Sequence, residues 1–265
     1  MWEWLLPVFG FLIGVAAALT GVGGGIFIVP LLTLLYGFDP VIAIGTSLAA
    51  IILTSIASSV NYLKQKRVYI KVGLILALAT APGAYIGAAI TGIPAVKTWL
   101  GVIFGIFLIL VATQMIYKAL SERSVKGCGQ ADPIFESRLL KNHRKILLGL
   151  FLGFFGGVAS GLLGVGGGTI LVPIMCYALM FPIHFSIPTS MFIMIFTSIS
   201  GVTNHLQQGH VDPIYALYLG VGSIIGAQIG AYTSKKLSSR SLGLVFAAML
   251  IVASINMMLK SLGMI

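Results

Sequence analysis

TGVGGGIFIVP, from Thr20 to Pro30, places a run of glycines inside an apolar stretch, and LGVGGGTILVP, from Leu163 to Pro173, repeats it. Glycine is a poor helix former because it loses more backbone freedom on folding than any other residue. The surrounding residues are nevertheless too apolar for an ordinary solvated loop. The two stretches, called here the first glycine cluster (Gly21–Gly25) and the second glycine cluster (Gly164–Gly168), therefore predict two equivalent breaks in helices.

Composition places the chain in a membrane. Of its 265 residues, 58% are hydrophobic and 8% are charged, whereas soluble domains carry about 25% charged residues. Apolar runs near the roughly 20 residues that a helix needs to cross a bilayer recur along nearly the whole sequence. We therefore predict an all-α polytopic membrane protein.

Matching residues recur at a constant spacing, which indicates a tandem duplication. Gly164 follows Gly21 by 143 positions, and no gap is needed to keep that offset further along the chain. The offset also relates Pro30 to Pro173, Thr46-Ser47 to Thr189-Ser190, Thr54-Ser55-Ile56 to Thr197-Ser198-Ile199, Asn61 to Asn204, and Gly83-Ala84 to Gly226-Ala227.

Each copy is predicted to contain five apolar segments. They lie at 4–19, 26–37, 41–63, 70–91 and 97–118 in the first copy, and at 146–162, 169–182, 184–206, 213–233 and 241–260 in the second. The second segment of each copy is short and follows a glycine cluster, so we expect a broken or re-entrant helix there. The expected organisation is a first membrane repeat at 1–120, a cytoplasmic connector at 121–145 and a second membrane repeat at 146–265.

An odd number of segments per copy predicts two repeats of inverted topology, and loop charge agrees. The loop Lys64–Arg67 is strongly basic, whereas its counterpart Gln207–His210 contains no Lys or Arg. The connector and Lys235–Arg240 are also basic. Because cytoplasmic loops are enriched in Lys and Arg, these three regions are expected in the cytoplasm. We therefore predict a multi-pass protein of the cell (inner or plasma) membrane with both termini extracytoplasmic.

The glycine clusters have two interpretations. Unpaired backbone groups cost several kcal/mol each in hydrocarbon, so a break persists only where it is buried in protein or lines a wet cavity. Transporters built from inverted repeats place their substrate at such breaks, where N–H groups and the positive end of a helix dipole attract anions. Close packing of helices through small residues is the alternative. We favour a ligand site, with these candidate residues: Gly23, Gly24, Gly25, Gly166, Gly167 and Gly168.

Polar residues form a stripe on the third segment of each copy. Hydroxyls and amides there either coordinate an anion or tie helices together. We favour ties between helices for Thr54, Ser58 and Thr197, and a lining role for Asn61 and Asn204, since polar side chains in membranes usually face an interior. The remaining substrate-binding candidates are Thr46, Ser47, Thr189, Ser190 and Gln228.

The positions of the charged residues exclude several functions. All six acidic residues lie at segment ends or in the connector, whereas a cation pump or proton relay normally has a carboxylate at depth. The apolar runs lack a catalytic acid, base or metal cluster, so we expect no enzyme, catalytic residue, metal site or cofactor. The basic residues are loop residues, so we expect no nucleic-acid partner. The expected partners are a small anionic substrate and the lipid bilayer, and no oligomeric state is indicated.

The doubled GVGGG…VP element, the Thr-Ser pairs and the five-segment copies resemble the TauE/SafE sulfite exporter family, also called the four-toluene-sulfonate uptake permease family. The resemblance covers nearly the full chain. It implies a permease for sulfite, sulfoacetate or another organosulfonate, with the two glycine clusters and the pairs Thr46-Ser47 and Thr189-Ser190 as central elements. We expect export by alternating access; the alternative is an uptake permease or channel-like uniporter for another small anion, such as thiosulfate or a carboxylate.

Overall fold

The regular elements of the chain are helices throughout the part described by the structure, a computed structural model that covers residues 3–120, 135–233 and 250–259. A short 3₁₀ turn, Glu3–Leu5, precedes the first helix. The helices are α1 (Leu6–Thr20), α2 (Gly25–Pro30), α3 (Pro40–Lys64), α4 (Ile70–Ile90), α5 (Pro94–Leu120), α6 (Phe135–Lys141), α7 (His143–Leu163), α8 (Gly168–Pro173), α9 (Ile183–Gln207), α10 (Pro213–Thr233) and α11 (Leu250–Leu259). α2 and α8 each continue as a π-helical turn, Leu31–Leu35 and Ile174–Ala178.

The helices confirm the predicted class, a multi-pass α-helical membrane protein. α3, α4, α7, α9 and α10 are long and apolar enough to cross a bilayer. Large apolar side chains cover the outside of the protein; Leu78 is 76% exposed and Tyr232 is 72% exposed. Soluble monomers rarely expose apolar surface on this scale, whereas lipid requires it.

The predicted segments match the helices closely. Every predicted start that falls on described residues lies within three residues of a helix start. The two short segments were expected to begin at Ile26 and Thr169, but α2 and α8 begin one residue earlier, because Gly25 and Gly168 already belong to the helix. The helix α6 inside the connector was not predicted. Residues 121–134 and 234–249, which include most of the connector, Lys235–Arg240 and the start of the tenth segment, lie outside the described residues.

Local sequence explains where the long helices begin. Asp39 precedes α3, and its side chain accepts a hydrogen bond from the N–H of Val41 at 2.9 Å. Asn142 precedes α7 and accepts one from the N–H of Lys145 at 3.2 Å. Each side chain satisfies an N–H group that the first turn of a helix leaves without a partner.

The two halves of the sequence are interleaved in space. α3 and α9 pack against each other, α1 packs along α10, and α4 packs along α7. Glycines allow the close approach: a Cβ on Gly226 would clash with the carbonyl oxygen of Phe11, and one on Gly83 with that of Phe154. These two contacts are related by the offset of 143 residues (83 + 143 = 226 and 11 + 143 = 154). Each of these helix pairs therefore joins one helix from each half.

Candidate functional site

The first glycine cluster breaks the helix, as the sequence predicts. α1 ends at Thr20, and Gly21 follows in the left-handed conformation with φ 75°. Gly23 and Gly24 have φ 87° and 91° before α2 begins at Gly25. A residue with a Cβ would destabilise the fold by about 1–2 kcal/mol at each left-handed position, so the repeated glycines allow this backbone conformation between α1 and α2.

The second glycine cluster has the same backbone. α7 ends at Leu163, and Gly164 has φ 68°. Gly166 and Gly167 have φ 74° and 90°, and α8 begins at Gly168. The equivalence of the two breaks, predicted from the repeated sequence, is therefore confirmed at the level of backbone conformation.

The two breaks face each other inside the protein. A Cβ on Gly25 would clash with the carbonyl oxygen of Gly164, and a Cβ on Gly168 would clash with that of Gly21. Every residue of both glycine clusters is buried. The breaks are thus enclosed by protein, the setting in which a membrane tolerates irregular backbone.

Backbone N–H groups remain unpaired at both breaks. Gly21 and Val165 still donate to carbonyl oxygens at the ends of α1 and α7. In the described part of the chain, the N–H groups of Gly23–Gly25 and Gly166–Gly168 donate no hydrogen bond. Such groups at the start of a helix, together with the helix dipole, attract negative charge.

Two apolar side chains that the sequence analysis did not single out lie between the breaks. A Cβ on Gly166 would lie 2.7 Å from Cε of Met194 and 2.9 Å from Cγ2 of Ile51. Met194 also contacts Gly168, where its Sδ would lie 2.8 Å from an added Cβ. Both side chains are fully buried, and the offset of 143 relates them (51 + 143 = 194). In this conformation they fill the space between the glycine clusters.

Ser47 and Ser190, both predicted site residues, lie at the breaks. The hydroxyl of Ser47 on α3 donates to the carbonyl oxygen of Gly164 at 2.5 Å. The hydroxyl of Ser190 on α9 donates to that of Gly21 at 3.2 Å. Each serine therefore hydrogen-bonds to the helix break of the other half, and both side chains are fully buried.

Thr46 and Thr189 precede these serines in sequence, but their hydroxyls form hydrogen bonds at other places in the protein. Oγ1 of Thr46 accepts the N–H of Asp212, just before α10, at 2.9 Å. Oγ1 of Thr189 accepts the N–H of Tyr69, just before α4, at 3.2 Å. The two threonines thus hold the starts of α10 and α4 and do not bond to the glycine clusters.

The polar stripe ties helices together, in agreement with the interpretation favoured for its threonines. Oγ1 of Thr54 donates to the hydroxyl of Ser223 on α10 at 2.7 Å. Oγ1 of Thr197 donates to the hydroxyl of Thr80 on α4 at 2.9 Å. For Ser58 the prediction of a tie between helices is wrong, because its hydroxyl donates to the carbonyl oxygen of Thr54 in its own helix.

The predicted amides form two clusters of hydrogen-bonded side chains. Nδ2 of Asn61 donates to Oε1 of Gln228 at 3.0 Å, and Nε2 of Gln65 donates to Oδ1 of Asn61 at 2.9 Å. In the other half, Gln208 donates to Oδ1 of Asn204. Asn61 follows Ser47 by fourteen residues, which is about 21 Å along a helix. The structure therefore brings Asn61 and Gln228 together and places Asn61 far from the second break, to which Ser47 bonds. The end of α1, before the first break, is closer: Tyr62, the residue after Asn61, donates to the carbonyl oxygen of Ala18.

The second break carries two hydroxyls that the repeat comparison passed over. Oγ of Ser160, in the last turn of α7, and Oγ1 of Thr169, in the first turn of α8, are buried and have no hydrogen-bond partner among the described residues. Their counterparts at the first break are Ala17 and Ile26 (160 − 143 = 17 and 169 − 143 = 26). Matching of like residues between the copies could not find them for that reason.

The interior offers neutral polar groups rather than charges. Among the described residues, the buried polar side chains are Ser, Thr, Asn and His, with no Lys, Arg, Asp or Glu. No group of three His, Cys, Asp or Glu side chains with metal-site geometry occurs in the described ranges. An anion at either break would therefore be bound by N–H groups, hydroxyls and helix dipoles.

Comparison with known proteins identifies relatives along nearly the whole chain. The family model described as "Sulfite exporter TauE/SafE" matches residues 6–257. No solved structure matches the chain significantly.

Curated relatives carry transporter names. "Probable membrane transporter protein YunE" of Bacillus subtilis is 33% identical over 258 residues, covering 94% of this chain and 94% of the relative. A probable membrane transporter protein of Methanocaldococcus jannaschii is 28% identical over 269 residues, covering 96% and 95%. "Probable membrane transporter protein YjnA" of Bacillus subtilis is 29% identical over 259 residues, covering 94% and 96%.

Proposed function

Because the chain belongs to the sulfite exporter TauE/SafE family of membrane transporters, we propose that its cargo is a small sulfur-containing oxyanion: sulfite, sulfoacetate or another organosulfonate. We propose export by alternating access, without a catalytic step or cofactor. The observation that carries the proposal is the pair of buried glycine breaks whose N–H groups donate no hydrogen bond within the described residues. The other partner is the lipid bilayer, and no nucleic acid is involved.

Inverted repeats are the second part of the proposal. Contacts that recur at the offset of 143 support it. The hydrogen bond from Ser47 to Gly164 is equivalent to the one from Ser190 to Gly21. The threonine ties between helices recur in the same way. Opposite loop charge in the two copies supports a cytoplasmic connector and extracytoplasmic termini.

The chemistry of binding follows from the donors at the breaks. An oxyanion held by backbone N–H groups needs no full positive charge, and it is released more readily than from a Lys or Arg. The candidates remain the six cluster glycines and the hydroxyls of Ser47 and Ser190, which lie at the breaks. Thr46 and Thr189 keep a supporting role by holding the starts of α10 and α4.

The amide clusters are proposed to line the two ends of the route. Asn61 and Asn204 lie on the last turns of α3 and α9. Gln228, the partner of Asn61, lies on α10, and Gln208, the partner of Asn204, directly follows α9. Amide groups donate hydrogen bonds to a passing oxyanion without holding it by charge. Ile51 and Met194 then separate the two ends as an apolar barrier that has to move for transport.

Flux into liposomes tests the proposal. Purified protein is reconstituted and assayed for sulfite, sulfoacetate, thiosulfate and acetate, with and without a pH gradient. We expect sulfite or sulfoacetate to move faster than acetate, and preferential movement of thiosulfate or acetate would favour the alternative cargo. Movement of a cation with none of the four anions would overturn the proposal.

A matched pair of glycine variants separates the site from general backbone strain. Gly167→Leu places a side chain at a left-handed position of the second break, φ 90°. Gly37→Leu does the same at φ 71° on a site with nothing within 4 Å of an added Cβ. We expect Gly167→Leu to abolish flux with protein still produced, and Gly37→Leu to retain it.

A further inference from the structure

The two glycine breaks share a backbone but differ in the side chains beside them. At the first break, a Cβ on Gly24 would meet only apolar atoms, 2.8 Å from Cγ2 of Ile13 and 3.6 Å from Cβ of Ala17. At the second break, a Cβ on the equivalent Gly167 would lie 3.5 Å from Oγ of Ser160. A hydroxyl therefore lies beside Gly167 at the second break, whereas only apolar atoms lie beside Gly24 at the first.

The hydroxyls at the second break lack partners. Ser160 is 0% exposed and Thr169 is 8% exposed, and neither side-chain oxygen has a hydrogen bond within the part of the chain that the structure describes. A buried hydroxyl without a partner is costly, and most buried side-chain polar atoms in proteins have one. Thr54, Thr197, Ser47 and other buried hydroxyls of this chain do bond to protein groups.

These hydroxyls flank the unpaired N–H groups of the second break. Ser160 lies one turn before Gly164 and reaches towards Gly167, and Thr169 directly follows Gly168 at the start of the apolar helical segment Gly168–Ala178. Hydroxyl and N–H donors on both sides of one backbone turn match an anion with several acceptor oxygens. At the first break, the residues at the two equivalent positions, Ala17 and Ile26, are apolar.

We propose that the oxyanion binds at the second break, between the hydroxyls of Ser160 and Thr169 and the N–H groups of Gly166–Gly168. The first break, with Ala17 and Ile26 at the equivalent positions, lacks both hydroxyls and does not bind the anion. This assignment rests on the proposed function and makes it more specific: the two breaks have equivalent backbones, but the anion binds at only one of them. Sulfite and sulfonates, which offer three oxygens on one sulfur, are the ligand class that such a set of donors accommodates.

Side-chain variants that remove only the hydroxyl test the assignment. Ser160→Ala and Thr169→Val change little volume, and binding of sulfite and sulfoacetate to detergent-solubilised protein is measured by calorimetry alongside flux in liposomes. We expect each variant to raise Kd and KM for the oxyanion by roughly ten- to a hundredfold, the usual effect of losing a hydrogen bond to a charged group. Thr169→Ser, which keeps the hydroxyl, should bind within about twofold of the unmodified protein.

Ser198→Ala is the matched control. Ser198 lies on α9, and its hydroxyl is also buried and without a partner, so its loss reports any general effect of removing such a group. We expect this variant to bind and transport as the unmodified protein does.

The possible outcomes separate the two claims. If the unmodified protein transports an oxyanion while Ser160→Ala and Thr169→Val bind it normally, the assignment to the second break is wrong and the proposed function stands. A weakening in Ser198→Ala as large as in the two site variants would also overturn the assignment. If the unmodified protein neither binds nor moves any of the oxyanions, both the proposed function and the assignment fail.

Discussion

The hydroxyl of Ser47 donates a hydrogen bond to the carbonyl oxygen of Gly164, so a side chain from the first half of the sequence closes the helix break of the second half. Both residues are fully enclosed. The reciprocal bond, from Ser190 to Gly21, is longer at 3.2 Å. Each break therefore accepts a hydrogen bond from the opposite half, and the two halves cannot separate without breaking these two hydrogen bonds.

Loss of the Ser47 hydroxyl should destabilise the protein. Ser47→Ala leaves the buried carbonyl of Gly164 without this donor, which costs about 1–3 kcal/mol. Ser55→Ala is the control, since Ser55 lies on the same helix and its hydroxyl bonds only to the carbonyl of Ile52 in that helix. Thermal unfolding in detergent should show a lower Tm for Ser47→Ala than for Ser55→Ala. Equal Tm values would mean that the bond across the halves contributes nothing measurable.

The tie between Thr54 and Ser223 should be weakly coupled, and so should its counterpart between Thr197 and Thr80. Hydrogen bonds between membrane helices contribute about 0.6 kcal/mol on average, because the unfolded chain in a membrane also finds partners. A double-mutant cycle with Thr54→Val and Ser223→Ala measures this coupling by thermal or denaturant unfolding. We expect a coupling energy below about 2 kcal/mol for each of the two ties. Coupling in only one of the two ties would contradict an equivalent structural role for them.

Alanine at Gly168 should disrupt the contact between the breaks. Gly168 is not in the left-handed region, so backbone strain is not the cause; its Cβ would clash with the carbonyl oxygen of Gly21. Because backbone cannot rotate away as a side chain does, we expect loss of correctly folded protein on size-exclusion chromatography. Gly209→Ala is the control, with φ 70° and nothing within 4 Å of its Cβ position. Normal folding of Gly168→Ala would mean that the breaks separate at little cost.

Sequence periodicity predicted the helices and the breaks because both depend on local chemistry. Apolar length predicted α3, α4, α7, α9 and α10, and the glycines predicted the two helix breaks. The repeat also paired residues that make equivalent contacts, as Thr54 and Thr197 do. These predictions needed no knowledge of which helices touch.

The composition of the site was harder to predict because it depends on the approach of distant segments. Ile51 and Met194 are ordinary apolar residues within apolar helices, so nothing in the sequence marks them as the pair between the breaks. Asn61 shares a helix face with Ser47, but the length of α3 places it about 21 Å along the helix from Ser47 and so far from the second break. Ser160 and Thr169 have no polar counterpart in the first copy, so a search for repeated polar residues could not select them.

Acid should destabilise the loop that contains His210, between α9 and α10. Burial lowers the pKa of His210 below its ordinary value, the positive charge of Lys97 lowers it further, and Asp39 raises it. Lys97 and Asp39 are themselves paired at 3.2 Å, and the ring of His205 lies 6.2 Å from that of His210. Since the unfolded chain then binds the proton more readily, stability is lost as pH falls from about 6.5 through the folded-state pKa.

His210→Asn tests the origin of this pH dependence. The variant cannot gain the proton, so the decrease in Tm between pH 7 and pH 5 should be smaller than in the unmodified protein. The measurement is thermal unfolding in detergent at a fixed salt concentration. An identical decrease in the variant would assign the pH dependence to other groups.

Truncation of Met194 should weaken the barrier between the two glycine clusters. Its side chain is fully buried against Gly166 and Gly168, so Met194→Ala should cost about 2–5 kcal/mol of stability through the cavity it leaves. The same cavity removes apolar contacts that an anion would have to displace, and we therefore expect faster sulfite flux per folded molecule in liposomes. Met194→Leu, which conserves volume, should change stability by less than about 1.5 kcal/mol and leave flux near normal. Slower flux in Met194→Ala, with folded protein confirmed, would show that the side chain helps to hold the transport-competent arrangement and does not act as a barrier.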